Sequence, residues 1–224
     1  MKYRPVNELI DYQYSAWPML QEWVNESPHY AELLPVEQCA AEKTLYHLQV
    51  TTRSPMGALA YHTGGLLIDH GWLRFLGSGH ARMPGNLLSW NGKDDEMLFD
   101  DIPDALIVAV DAIGGCFAIN AGMFPDDLRI IWYFAPDTLT WNSLSIGYTD
   151  FMHWALFEGI AMFYEDSRWP GWECDVSIIT GDQGFSIYPP LWAEGGPINQ
   201  RDRRVISLQQ LVEANMAIAV QLAK

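Results

Sequence analysis

Apolar positions along the chain follow a helical period first and a strand period afterwards. From Asn7 the apolar side chains Leu9, Tyr12, Ala16, Leu20, Trp23 and Val24 recur every three or four residues, the spacing of an amphipathic helix. Pro18 interrupts that pattern, so the helix breaks there or a second one starts with the proline in its first turn. Residues Pro28–Pro35 read as a connection, and Val36–Val50 as a helix with Ala41, Leu45 and Leu48 on one face. Ser54-Pro55 combines a cap residue with a first-turn proline and predicts a short helix running toward His62 and ending at Gly64-Gly65.

Strand patterns follow. Leu66–Asp69 and Trp72–Leu76 flank His70-Gly71, a two-residue connection of the hairpin kind, and Gly77-Ser78-Gly79 closes the second strand. Pro84–Trp90 predicts one or two helical turns ending at Asn91-Gly92. The densest signal runs from Ala105 to Phe157. There Ala105–Val110, Cys116–Asn120 and Arg129–Ala135 are rich in β-branched and aromatic residues, with Gly114-Gly115, Gly122, Pro125 and Pro136-Asp137 between and after them. Such runs bounded by turn formers read as successive strands of a meander. A further strand at Ser143–Ile146 precedes a helix capped by Thr149 or Asp150 that carries Phe151, Trp154 and Ala155.

Gly159–Glu165 reads as more helix, while Glu173–Ile179 suits helix or strand equally. Phe185–Tyr188 is a strand that Pro189-Pro190 confines to an edge or terminates, and a glycine- and proline-rich loop through Pro197 leads on to Arg201, Arg203 and Arg204. Ser207 caps a last helix bearing Leu208, Leu211, Val212, Ala219 and Leu222. The expected fold class is α+β, a mostly antiparallel sheet of about six strands covered by helices. No repeat or long polar linker interrupts the chain, so residues 1–224 are expected to form a single domain.

Charge narrows the partners. The sequence holds 13 basic and 28 acidic residues, a formal charge of -15, so a phosphate backbone would be repelled and nucleic acid is not expected as a partner. No apolar run approaches the roughly 20 residues needed to span a bilayer, and the residues after Met1 are too polar for a signal peptide. The expectation is a cytoplasmic protein without a membrane partner. Cys39, Cys116 and Cys174 are odd in number and widely spaced, which predicts reduced, buried thiols rather than disulfides.

Candidate chemistry is thin. His62, His70 and His80 with Asp69 come nearest to a metal or catalytic cluster, but their spacing matches no ligand signature. Gly77-Ser78-Gly79 lacks the continuation of a phosphate loop, and no serine sits in a GxSxG elbow. No catalytic residue, metal or cofactor is therefore expected. The one shift in composition is Lys93–Asp104, where Asp94, Asp95, Glu96, Asp100, Asp101 and Asp104 crowd together. They read as a solvated loop or as a contact surface for a cationic partner. Trp169, Trp172 and Trp192 lie beside Pro and Gly in loops; packing that anchors those loops is the favoured reading, with at least one of the three placed to be exposed for contact.

The order of elements resembles the SUKH superfamily, which includes bacterial immunity proteins against toxins and fungal regulators of cell-wall synthesis. The counterparts are Ser54-Pro55, Thr63-Gly64-Gly65, the hairpin Leu66–Leu76, Ile107–Gly115 with Cys116–Asn120, Ile130–Ala135 followed by Trp141, and Tyr148–Leu156. The likeness covers a core of about Val36 to Phe157 and leaves 159–224 as an extension, with Ser54 and Thr63 departing from the family's leucine and asparagine. The phrases YHTGGLLIDHGWLRFLGSG, WYFAPDTLTW and DQGFSIYPPLW look like a bacterial family known only as a domain of unknown function. The SUKH likeness implies a non-catalytic protein of the immunity type that occludes a basic partner through its acids and aromatic anchors. The residues themselves leave two alternatives, a small-metabolite enzyme using the His62, Asp69, His70, His80 region and a homo-oligomer joined through its aromatic loops.

Overall fold

The computed structural model describes residues 3–94, 102–125 and 127–222. The fold is α+β. Its centre is a seven-stranded antiparallel sheet in strict sequence order: β1 (Ala31–Leu34), β2 (Gly65–Ile68), β3 (Leu73–Leu76), β4 (Ala105–Asp111), β5 (Cys116–Asn120), β6 (Ile130–Ala135) and β7 (Thr140–Gly147). Neighbours in sequence are neighbours in space because antiparallel strands can be joined by short turns. The helices are α1 (Val6–Leu9), α2 (Trp17–Glu26), α3 (Gln38–Leu48), α4 (Pro55–His62), α5 (Tyr148–Phe157), α6 (Ile160–Phe163), α7 (Trp172–Ser177) and α8 (Leu208–Leu222). A second, two-stranded sheet pairs β8 (Gln183–Tyr188) with β9 (Asp202–Ser207).

Register decides which side chains meet. Leu66, Phe75, Ala109, Phe117, Tyr133 and Asn142 lie opposite one another across β2 to β7 and so share one face. Phe151 of α5 packs on that row, 4.6 Å from Phe117 and 4.9 Å from Phe75 between ring centroids. Each such buried aromatic contributes roughly 2 kcal/mol of transfer free energy. The alternate row places Arg74, Val110, Cys116, Phe134 and Trp141 together on the opposite face. There the chain after α7 is fastened by fully buried Arg74, which donates to the carbonyls of Gly71 (2.7 Å), Gly181 (2.9 Å) and Gln183 (2.6 Å).

The β8–β9 hairpin and α8 dock at the end of the sheet made by the β4–β5 turn. Phe185 N–H donates to Ala112 C=O at 2.7 Å, and a Cβ on Gly114 would stand 2.7 Å from Leu211 of α8. Gly114 also has φ +89, so two separate constraints demand glycine there. Helices of the N-terminal half pack on one another, α3 on α4 and α2 on α4. Pro18 falls in the first turn of α2, so the proline does start a second helix. Ser54 caps α4, its Oγ accepting from Gly57 N–H at 3.1 Å. Replacing Ser54 by alanine is expected to lower stability by about 1 kcal/mol, read as a smaller denaturation midpoint at unchanged slope.

Four expectations are corrected. The connection at Pro28–Pro35 contains β1, whose four residues pair with β2 and are too few to show a period. The segment at Arg201–Arg204 enters β9, whose exposed, charged start hides the strand pattern. Gly147, not Thr149 or Asp150, is the cap residue of α5, and no side chain caps it; Asp150 sits in the first turn. Cys39 and Cys174 are exposed, leaving Cys116 as the buried thiol. No helix among the described residues is long and apolar enough to cross a membrane.

Candidate functional site

The connection between β2 and β3 opens with a turn in which Asp69 (φ 50), His70 (φ 60) and Gly71 (φ 94) are all left-handed, and Trp72 leads into β3. Left-handed Asp69 and His70 are strained and persist only where their surroundings hold them. Asp69 Oδ2 accepts from Arg168 Nη2 at 2.6 Å, its Oδ1 lies 3.4 Å from His29 Nδ1, and its N–H donates to Tyr30 C=O at 2.8 Å. The His70 ring stacks on Tyr30 with centroids 4.4 Å apart. Above Asp69, the Arg168 guanidinium lies 4.0 Å from the Trp172 ring centroid, 5.1 Å from Trp72 and 5.4 Å from Tyr164. This aromatic box encloses a cation already present in the chain, which reaches Asp69 through Nη2 while its Nε has no hydrogen-bond partner among the described residues.

Asp111, at the end of β4, is fully buried and accepts four hydrogen bonds. Oδ1 takes the N–H groups of Ile113 (3.0 Å) and Gly115 (2.7 Å), while Oδ2 takes the hydroxyls of Tyr133 (2.9 Å) and Tyr164 (3.0 Å). Burial pushes its pKa up and the four donors oppose that rise. Burial and the Asp111 carboxylate together push both tyrosines well above their usual range. A Cβ on Gly115 would stand 2.3 Å from Asp111 Oδ2, so the network and the glycine are one design. With every donor and acceptor inside engaged, it acts as a structural clasp.

Beside this clasp runs a groove. A depression of about 280 Å³ is lined by Tyr133, Asp137, Asn142, Tyr164 and Ser167 among others. A second, of about 190 Å³, is lined by Ile187, Trp192, Leu211, Asn215 and Ile218. Ile113, Pro136 and Leu191 line both, which makes the two continuous. The second is apolar apart from Ser186 and Asn215, and among the described residues Asp137 is the one charged group lining either.

Of the residues singled out in the sequence, Trp192 is the aromatic that reaches this groove, 36 % exposed at its wall. Trp169 is 1 % exposed, its Nε1 donating to Asp175 at 2.7 Å and its ring covered by Trp72, Phe185 and Arg203. It is a core residue and offers no contact surface. Trp172 is half-buried beneath Arg168. Asp94 pairs with Lys43 at 2.6 Å, and exposed Asp104 uses its carbonyl to accept from Ala121 and Met123. Asp95, Glu96, Asp100 and Asp101 lie outside the described residues.

The histidines do not converge. His62 stacks on Trp17 at 4.5 Å, with its pKa lowered by burial, while His80 accepts from Arg82 N–H through Nδ1. No group of three His, Cys, Asp or Glu residues able to hold a metal occurs among the described residues. Asn215 and Asp137 were missed in the sequence. The one available signal was an asparagine inside the otherwise apolar run Met216–Val220 and Leu211-Val212 of a helix.

Comparison with known proteins shows where the chain belongs. The model of the family described as "Protein of unknown function DUF2625" matches residues 6–211. The chain belongs to the DUF2625 family. It is 45% identical over 210 residues to the putative uncharacterized protein YbfG of Escherichia coli (strain K12), covering 94% of each chain. It is also 35% identical over 213 residues to an uncharacterized protein of Haemophilus influenzae, covering 95% of this chain and 93% of the relative. No solved structure matches the chain. The DUF2625 match takes in α1 through the first turn of α8, and so both walls of the groove as far as Leu211.

Proposed function

We propose that this DUF2625 chain is a non-catalytic binding protein of the immunity type that covers a basic partner protein. The observation carrying this reading is how the chain uses its cations. Arg74 and Arg201 donate to backbone carbonyls, Arg201 to those of Pro189 (3.0 Å), Pro190 (2.6 Å) and Gly196 (2.9 Å). Lys43, Arg53, Arg82 and Arg168 pair with Asp94, Asp11, Glu32 and Asp69. Exposed Glu22, Glu26, Glu165, Asp166, Glu173 and Glu194 take part in no ion pair among the described residues.

With a net charge of -15, the field outside the protein is negative and steers a cationic protein toward it. The SUKH-like succession of short helix, hairpin, aromatic strands and helix supports the same reading, because immunity proteins act by occlusion and need no reacting groups. The acids of Lys93–Asp104 and the aromatics Trp172 and Trp192 are the residues that would supply contacts to the partner. A pulldown from cell lysate at low and at moderate salt is expected to recover one stoichiometric basic protein, whose association slows as ionic strength rises. Recovery of no such protein at either salt overturns the proposal. A gene for a large secreted toxin beside this one would favour the immunity role in particular.

A further inference from the structure

Strand β8 carries an open edge into the groove. Phe185 N–H points away from β9, toward Ala112 C=O, and Gln183 C=O points the same way, toward Arg74. In an antiparallel pair, alternate residues direct both backbone groups to the same side. Ile187, two residues beyond Phe185 and opposite Arg203, therefore turns its N–H and C=O away from β9 as well. Neither group has a hydrogen-bond partner among the described residues, and Ile187 lines the groove. Pro189 and Pro190 follow at once, so the open edge is short.

Asn215 faces the same space from α8. It is 8 % exposed, and its side-chain amide makes no hydrogen bond among the described residues. Its amide atoms are not sealed from solvent but open on the groove, where they are free to bond a ligand. The free backbone pair, the free amide, the apolar wall at Trp192, Leu211 and Ile218, and one carboxylate at Asp137 together describe a polypeptide ligand. A main chain supplies complementary donors and acceptors, and recognition by strand addition joins them to side-chain pockets.

We propose that the groove seats an extended segment of the basic partner as a third strand beside β8. One large apolar side chain of that segment fills the depression at Trp192 and Ile218, and a Lys or Arg two residues along reaches toward Asp137. Asn215 bonds the segment's main chain. Side chains two apart project to the same face of a strand, which sets this spacing. The inference rests on the reading of the chain as a binder of a basic protein and adds where and how it binds.

The probe is the capped pentapeptide acetyl-Thr-Phe-Thr-Arg-Thr-amide, titrated into the intact protein and followed by nuclear magnetic resonance. The Ile187 amide and the Asn215 side-chain amide are expected to shift, the Ile187 amide to become protected from exchange, and a peptide with Glu for Arg to bind at least tenfold more weakly. Asn215→Leu is expected to weaken binding at least fivefold while the melting temperature holds or rises, since the amide makes no bond within the described residues and leucine is the better helix former. A fall in melting temperature would make Asn215 structural and remove it from the recognition. Equal binding of the Glu and Arg peptides would overturn the basic segment. Shifts confined to the surface around Asp94 and Asp104 would overturn strand addition while leaving the binder reading intact. Ile187 shifts that appear with protein concentration alone, with dimer mass in light scattering, would replace the partner by a second copy.

Discussion

Replacing Arg74 by methionine is expected to lower the unfolding free energy by about 3 kcal/mol, despite the similar size of the two side chains. Arg74 is fully buried, and burial pulls its pKa down to about 10. Its guanidinium ties the sheet to the C-terminal segment through Gly181 and Gln183, and its Nε holds the β2–β3 turn through Gly71. Methionine fills the space and leaves those three carbonyls unsatisfied, each at a cost of order 1–3 kcal/mol. Part of that cost is offset because a buried guanidinium no longer needs to be desolvated. Hydrogen exchange separates this from a general loss: the Phe185 amide, which bonds Ala112, should lose protection well before the amides of β4 and β5. Unchanged stability would mean that the hairpin is held by its apolar contacts alone.

Asp111→Ala is expected to cost about 4 kcal/mol, because two tyrosine hydroxyls and two backbone N–H groups lose their shared acceptor in a dry interior. Asp111→Asn keeps an acceptor and costs less, and it carries the pH signature. Burial raises the Asp111 pKa above the ordinary carboxylate value, so the folded chain binds its proton more tightly than the unfolded chain. Stability from this group is therefore greatest at low pH and declines as pH rises from the ordinary carboxylate range through the folded pKa. Asparagine does not titrate. The stability advantage of the native protein over Asp111→Asn should shrink as pH rises from about 4 toward neutrality, measured by urea unfolding at each pH. An advantage that grows with pH would show that the four donors outweigh burial and hold Asp111 as an anion.

Both predictions concern residues whose neighbours are distant in sequence, and the candidate site has the same character. Trp192 was one of three loop tryptophans of which at least one was expected to be exposed, and Pro189-Pro190 and Gly195-Gly196 bracket it in the chain. Trp169 stands in an equally turn-like setting, between Arg168 and Pro170, yet is enclosed by Trp72 and Phe185 from two other segments. Local composition is the same in the two cases and the tertiary packing is opposite. His70-Gly71 looked like the hairpin turn, which it is, but Asp69, read as the end of a strand, belongs to the turn too, and the partner that holds it there is Arg168, 99 positions on. Asn215 reads in sequence as one polar residue on an apolar helix. Its lack of a partner depends on the groove opposite it.

The sequence by itself determined the α+β class, the meander from Ala105 to Gly147 and the start of α4 at Ser54-Pro55. It did so because these rest on local causes: β-branched and aromatic runs, glycine and proline turns, and a serine cap. It also determined the negative field, which needs only a count of charges. The tertiary structure alone decided that Ala31–Leu34 and Asp202–Ser207 are strands, since each takes its hydrogen bonds from a partner strand rather than from a period of its own. It alone decided that Arg74, Arg168 and Arg201 are engaged inside the chain while acids remain outside. And it alone joined Ile187, Asn215 and Asp137 around one groove, because a ligand-shaped space is made by surfaces that meet only after the sheet, the hairpin and α8 have packed.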